Sequence, residues 1–145
     1  MEEYLDILDE HGNETGESLP RSEVHAKGLW HRTVHIFVYR KVGTEIELLV
    51  HLRSKTKDLK PNLWAGSFGG HVQAGESLED ALKDELKDET GIDIDPQKLF
   101  FFLTRKDGTY SNQEFVTTYF YDFDGDHYFF LKHAADIERI FTSTL

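Results

Sequence analysis

The chain has no cysteine, so disulfide bridges, thiolate metal ligands and thiol nucleophiles are all excluded from any account of it. Positive charge is also scarce. Against 27 Asp and Glu stand 16 Lys and Arg, a formal net charge of −11 that argues against a nucleic-acid polymer or an anionic membrane as partner. Long apolar runs are missing, and no signal-peptide pattern opens the chain, so a soluble cytoplasmic protein is the expectation. What is present suits a folded domain. Hydrophobic residues make up 39% and aromatics 13% of 145 residues, enough to bury a core and too much for disorder.

One stretch, residues 70–92, organises the rest. It reads as a glycine-rich loop feeding a short acidic helix over 77–90. Ser77, with Asp80 three residues on, makes a capping-box-like start, and Gly91 is a C-terminal stop. Leu78, Ala81, Leu82 and Leu86 fall at helical spacing and form a packing stripe. Glu85 and Glu89 lie on nearly the same face, flanked by Asp88, so the stripe turns from apolar to acidic along its length. Carboxylates gathered at the edge of a core need protons, cations or a metal, and oxygen-only ligands suit Mg²⁺ or Mn²⁺. A solvated acidic helix face is the ordinary alternative.

The stretch resembles the Nudix box: Gly, five residues, Glu, seven residues, Arg-Glu-aliphatic-any-Glu-Glu-any-Gly-aliphatic. Gly70, Glu76, Glu85, Leu86, Glu89, Gly91 and Ile92 match in register, Asp88 stands for the first Glu of the pair, and Asp84 replaces the Arg by the opposite charge. The resemblance implies an α/β fold, the Nudix α/β/α sandwich with a central mixed sheet, here preceded by an N-terminal β-hairpin. The domain would span 1–145, with the hairpin at 1–28, the core at 29–145 and the box at 70–92.

The resemblance also implies a divalent-metal-dependent enzyme that cleaves a pyrophosphate bond in a small diphosphate substrate. Glu85, Asp88, Glu89 and the Gly70 carbonyl would hold Mg²⁺ or Mn²⁺, with Glu85 or Glu89 positioning or deprotonating the attacking water. Glu76 and Gly91 are structural in the box, Glu76 bracing the loop. Asp84 adds a fourth acid at i, i+4 from Asp88. That departure keeps a second reading open, a Nudix-fold ligand-binding or sensor protein with weakened catalysis.

Arg53, Lys57 and Pro61 ahead of Leu63-Trp64, together with Gly69-Gly70-His71 and the opening Tyr4-Leu5-Asp6-Ile7-Leu8-Asp9, are similar to the isopentenyl-diphosphate isomerase branch of the family. An isomerase of that type needs a catalytic cysteine in the stretch equivalent to 67–71, and this chain has none. By alignment with that branch, His31 and His71, joined by His25, lie near its histidine metal site, although most of eight histidines in any chain are ordinary surface or core residues. Arg53, Lys57, Lys60 and His71 are the candidates to contact substrate, a guanidinium gripping phosphate bidentately and an ammonium acting as a point charge.

Elsewhere the pattern is of strands. Alternation predicts strands at 3–9 and 14–19 around a turn at His11-Gly12-Asn13, then a connector over 20–28 with room for one helical turn. Further strands are expected at 31–40, 45–53, 99–103 (buried), 113–122 and 128–132, with turns at Gly43-Thr44 and Lys106-Asp107-Gly108. Glu114 is the expected extra metal-binding acid from outside the box. Residues 122–126 read as a hairpin turn, not a calcium loop, because the glycine falls at the fourth position. Residues 136–141 look like the lead-in to a last helix, and an exposed apolar edge there would favour a homodimer.

Overall fold

Strands dominate the fold, and their segments carry an apolar residue at every second position, as at Val34, Ile36 and Val38 or Ile46, Leu48 and Val50. The computed structural model describes residues 2–53, 63–109, 112–123 and 137–144, and of residues 42, 53 and 137–144 it describes the backbone. Strands β1 (Tyr4–Leu8) and β2 (Glu14–Pro20) form an antiparallel hairpin, and helix α1 (Arg21–Lys27) follows where the sequence predicts a connector. Leu5, Ile7 and Val24 bury themselves between hairpin and helix, with Leu19 and Leu29 packed around them.

The main sheet is built on β3 (His31–Val42), which pairs antiparallel with β4 (Glu45–Arg53) and β6 (Phe68–His71) and parallel with β8 (Asn112–Asp122). Beyond these lie β5 (Trp64–Ala65) and β9 (Ile137–Thr144) on β4, and β7 (Leu99–Thr109) on β8. The sheet is therefore mixed. Helix α2 (Leu78–Thr90) lies across one face, where Ala81, Leu82 and Leu86 meet Val34, Ile36, Val38, Leu49 and Phe68 in the main core. Full burial of each such side chain is worth about 1.5–3 kcal/mol, so this layer fixes where α2 sits.

Three expectations need correcting. Residues 100–103 are exposed (50%, 61%, 58% and 36%), because β7 has no partner beyond it among the described residues and its register slips between Phe101 and Leu103. Lys106, Asp107 and Gly108 continue β7, paired with Phe115, Glu114 and Gln113, and do not turn the chain. Gly108 is instead a point of close approach, since a Cβ there would lie 3.0 Å from the Trp30 ring. Residues 137–144 form a strand on β4 in place of a helix lead-in. The expected strand at 128–132 lies outside the described residues, as does the proposed turn beyond Phe123.

Candidate active site and histidine cluster

Helix α2 begins where Ser77 Oγ accepts the Asp80 amide at 3.1 Å and ends where Gly91 takes the left-handed conformation, φ 80°, with its amide on the Lys87 carbonyl. These caps set the rotation of the helix. With Leu82 and Leu86 turned into the core, Glu85 and Glu89 sit half-buried at its margin, while Asp84 and Asp88 face solvent. Glu85 lodges against Gly70. Gly70 lies opposite Val34 in the β6–β3 pair, and a Cβ there would overlap the Glu85 carboxylate. Only glycine leaves room for that contact, which seats the Glu85 carboxylate directly against the β6 backbone.

The loop between β6 and α2 is pinned from both sides. The Val72 amide donates to the Arg32 carbonyl (3.0 Å), the Ala74 amide to the Tyr4 carbonyl (2.7 Å) and the Gly75 amide to Asp6 Oδ2 (3.0 Å). Glu76 closes the loop on itself by accepting the Gln73 amide at 2.9 Å. Burial pushes the Glu76 carboxyl up, and a hydrogen bond with Asp84 and that residue's charge push it further. Asp84 thus meets Glu76 as a close carboxyl pair, and it is Glu76 whose charged form this disfavours.

A second constellation occupies the other face of the sheet. The rings of His25 (α1), His31 (β3) and His71 (β6) form a near-equilateral triangle, with centroids 5.1–5.2 Å apart. His31 is fully buried, and its Nδ1 donates to the Leu29 carbonyl at 2.9 Å, which turns Nε2 toward Glu114. Glu114 Oε1 lies 3.6 Å from His31 Nε2 and 3.7 Å from His71 Nε2. Two ligands about 2.0–2.1 Å from one tetrahedral ion stand roughly 3.3 Å apart, so these separations suit a shared cation.

Nε2 of His25 and of His31 are buried without a hydrogen-bond partner, which is costly unless a ligand satisfies them. One ligand atom from each imidazole falls within 4.8 Å of the others. Desolvation, then the positive field of Arg21 and the neighbouring imidazoles, lowers the His71 pKa to about 4. His25 is lowered by burial and by His31. Both rings therefore stay neutral at physiological pH, the form that binds metal. Burial pushes the Glu114 carboxyl up, but His31 and His71 beside it more than offset that and leave it below its ordinary value.

Comparison with known proteins decides the lineage of this arrangement. The sequence profile of the NUDIX domain matches residues 29–140. The chain belongs to the Nudix family. It is 39% identical over 124 residues to Nudix hydrolase 3 of Arabidopsis thaliana, covering 81% of this chain and 16% of that protein. It is 37% identical over 103 residues to isopentenyl-diphosphate Delta-isomerase 2 of Photorhabdus laumondii, covering 71% and 56%. A solved structure from Deinococcus radiodurans superposes with a TM-score of 0.67 at 25% identity, covering 94% of this chain and 82% of that one. The Nudix chain thus spans about half, or much less, of the length of these two curated relatives. Among the described residues no helix is long and apolar enough to cross a membrane.

The Nudix fold separates two groups of residues that look alike in the sequence. Gly70, Glu76, Glu85, Asp88, Glu89 and Gly91 all gather around α2 and its loop. Glu114 and His71 do not join them from that side. Their register opposite His31 and Thr33 points them to the face away from α2, into the histidine cluster. The backbone of Arg53 ends β4, and Lys57 and Lys60 lie outside the described residues. The Asp6–Gly75 hydrogen bond and the convergence of Glu114 on the histidines carry no local sequence signal. Strand register, His31 beside Glu114 and Thr33 beside His71, assembles the cluster, and α1 adds His25.

Proposed function

We propose that this Nudix chain hydrolyses the pyrophosphate bond of a small nucleoside diphosphate-linked or related diphosphate substrate with a hard divalent cation, Mg²⁺ or Mn²⁺. The observation that carries the reading is the seat of Glu85 against Gly70, with Glu89 and Asp88 on the same end of α2. Together with the Gly70 carbonyl these are hard oxygen donors, the set such ions prefer. The cation supplies charge neutralisation for the phosphates and lowers the pKa of a water. Glu85 and Glu89 hold it, and one of them takes the proton from the attacking water. Glu76 keeps the loop closed so that Gly70 stays in place. Arg53, Lys57 and Lys60 supply cationic groups suited to substrate phosphates, and a cytoplasmic location fits a cysteine-free chain.

The His25, His31, His71 and Glu114 cluster takes a second ion. Three imidazoles and one carboxylate favour a first-row transition metal over Mg²⁺. An isomerase does not fit. The chain has no cysteine, in the stretch 67–71 or elsewhere. The remaining rival is a ligand-binding protein, favoured by the Glu76–Asp84 carboxyl pair where the box carries Arg.

The test is release of phosphate or a pyrophosphate fragment from a panel of nucleoside diphosphate compounds with Mg²⁺ or Mn²⁺, wild type against Glu89→Gln. Turnover that Glu89→Gln loses supports the hydrolase. Intact metal binding without turnover across the panel supports the binding protein.

A further inference from the structure

The N-terminal hairpin lies outside the box, yet its first strand runs alongside the box loop. Leu5 forms a β-bridge with Gln73, and the Tyr4 carbonyl takes the Ala74 amide. Where the pairing stops, a side chain continues it. Asp6 Oδ2 accepts the Gly75 amide at 3.0 Å, at the residue whose φ of +76° reverses the loop.

The same carboxylate is held by two other elements. Ser18 Oγ of β2 donates to Oδ1 at 2.6 Å, and Arg32 Nη2 of β3 donates to Oδ2 at 3.4 Å while also pairing with Glu14 at 3.2 Å. One carboxylate thereby ties hairpin, central strand and loop tip together. Its pKa is lowered, chiefly by the Ser18 hydroxyl and then, against desolvation, by the Gly75 amide and Arg32, so it stays ionised at neutral pH.

We propose that Asp6 is a positioning residue for the box loop, fixing the tip at Ala74-Gly75 so that Gly70 and Glu76 keep their places against α2. This rests on the reading of α2 and its loop as the reactive site. Asp6 touches neither Glu85 nor Glu89 among the contacts described, and acts through Gly75. Without it the tip keeps the Ala74–Tyr4 bond to β1 and, within the loop, the Gln73–Glu76 bond.

Amide hydrogen exchange on metal-free protein, read residue by residue by NMR, tests this without requiring turnover. In Asp6→Ala the Gly75 amide is expected to exchange about tenfold faster, as befits loss of one charge-assisted hydrogen bond. The Val72 amide, held by the Arg32 carbonyl, is expected to hold its rate. Asp6→Asn keeps an oxygen for the Gly75 amide and is expected to restore most of the protection; it also serves should Asp6→Ala not fold, with Ser18→Ala as its partner. In the hydrolase assay Asp6→Ala lowers kcat about tenfold and raises the half-saturating Mg²⁺ concentration, with KM within twofold.

Gly75 exchange unchanged in Asp6→Ala, or Val72 and core amides accelerated as much as Gly75, overturns the proposal. Should wild type hydrolyse nothing, the proposed reaction fails while the Gly75 amide still decides the role of Asp6.

Discussion

Replacing Gly70 by Ala probes the junction on which the proposed reaction depends. The added methyl would overlap the Glu85 carboxylate, so either Glu85 leaves its seat or β6 moves away from α2. Forcing one extra carbon into a closed contact costs about 1–3 kcal/mol. A shift of about 1 Å in a group that orders the reacting atoms costs roughly 100-fold in rate. A double-mutant cycle separates this collision from general damage. Gly70→Ala is expected to cost about 2 kcal/mol in the wild-type background and close to nothing in Glu85→Ala, where the carboxylate is gone, a coupling of the size seen between touching residues. Urea midpoints at constant m-value give the stabilities, and turnover at saturating Mg²⁺ gives the rate. Equal costs in the two backgrounds, or a Gly70→Ala protein with wild-type turnover, would refute the reasoning.

Three further outcomes are expected. Glu114→Gln should weaken Zn²⁺ or Mn²⁺ binding at the histidine cluster about 10- to 100-fold by isothermal titration while leaving the Mg²⁺ requirement of turnover unchanged, since Glu114 faces away from α2. In chelated protein the depressed His71 pKa, about 4 against 6.5, means that the unfolded chain takes up its proton first: stability is full above pH 6.5 and falls by up to about 3 kcal/mol as pH drops towards 4. Urea midpoints should show that slope in wild type and a shallower one in His71→Gln. Asp84→Arg should turn the Glu76–Asp84 carboxyl pair into an ion pair, raising stability at pH 7 by up to about 1 kcal/mol and lowering the Glu76 pKa, readable by NMR titration.

Much of this architecture is legible in the chain because it is local. The spacing of Leu78, Leu82 and Leu86, the Ser77 cap and Gly91 determine α2 within one residue of its expected bounds, and alternation locates β1 to β4 and β8. What is not legible depends on distant partners. An apolar run such as 99–103 looks alike in a buried strand and on an edge, and only the order of strands in the sheet exposes Phe100, Phe101 and Phe102. Lys106, Asp107 and Gly108 have turn-forming composition, yet pairing with β8 keeps them extended, and Lys106 reaches the Glu10 carbonyl and the Trp30 ring. The histidine cluster draws on α1, β3, β6 and β8, so no window of sequence contains it. Asp84 reads as a bare like-charge defect until the loop brings Glu76 to it.

The central claim, that Glu85 and Glu89 on α2 work a hydrolytic metal site, is tested most directly by single-turnover hydrolysis of the best substrate from the diphosphate panel by Glu85→Gln, with Mn²⁺ affinity of the same variant measured alongside. The account predicts that wild type cleaves the pyrophosphate bond only with divalent metal, and that Glu85→Gln binds substrate while losing roughly 100-fold or more in the cleavage rate together with α2-bound Mn²⁺. Cleavage by Glu85→Gln at the wild-type rate, or metal-independent cleavage by wild type, would contradict it.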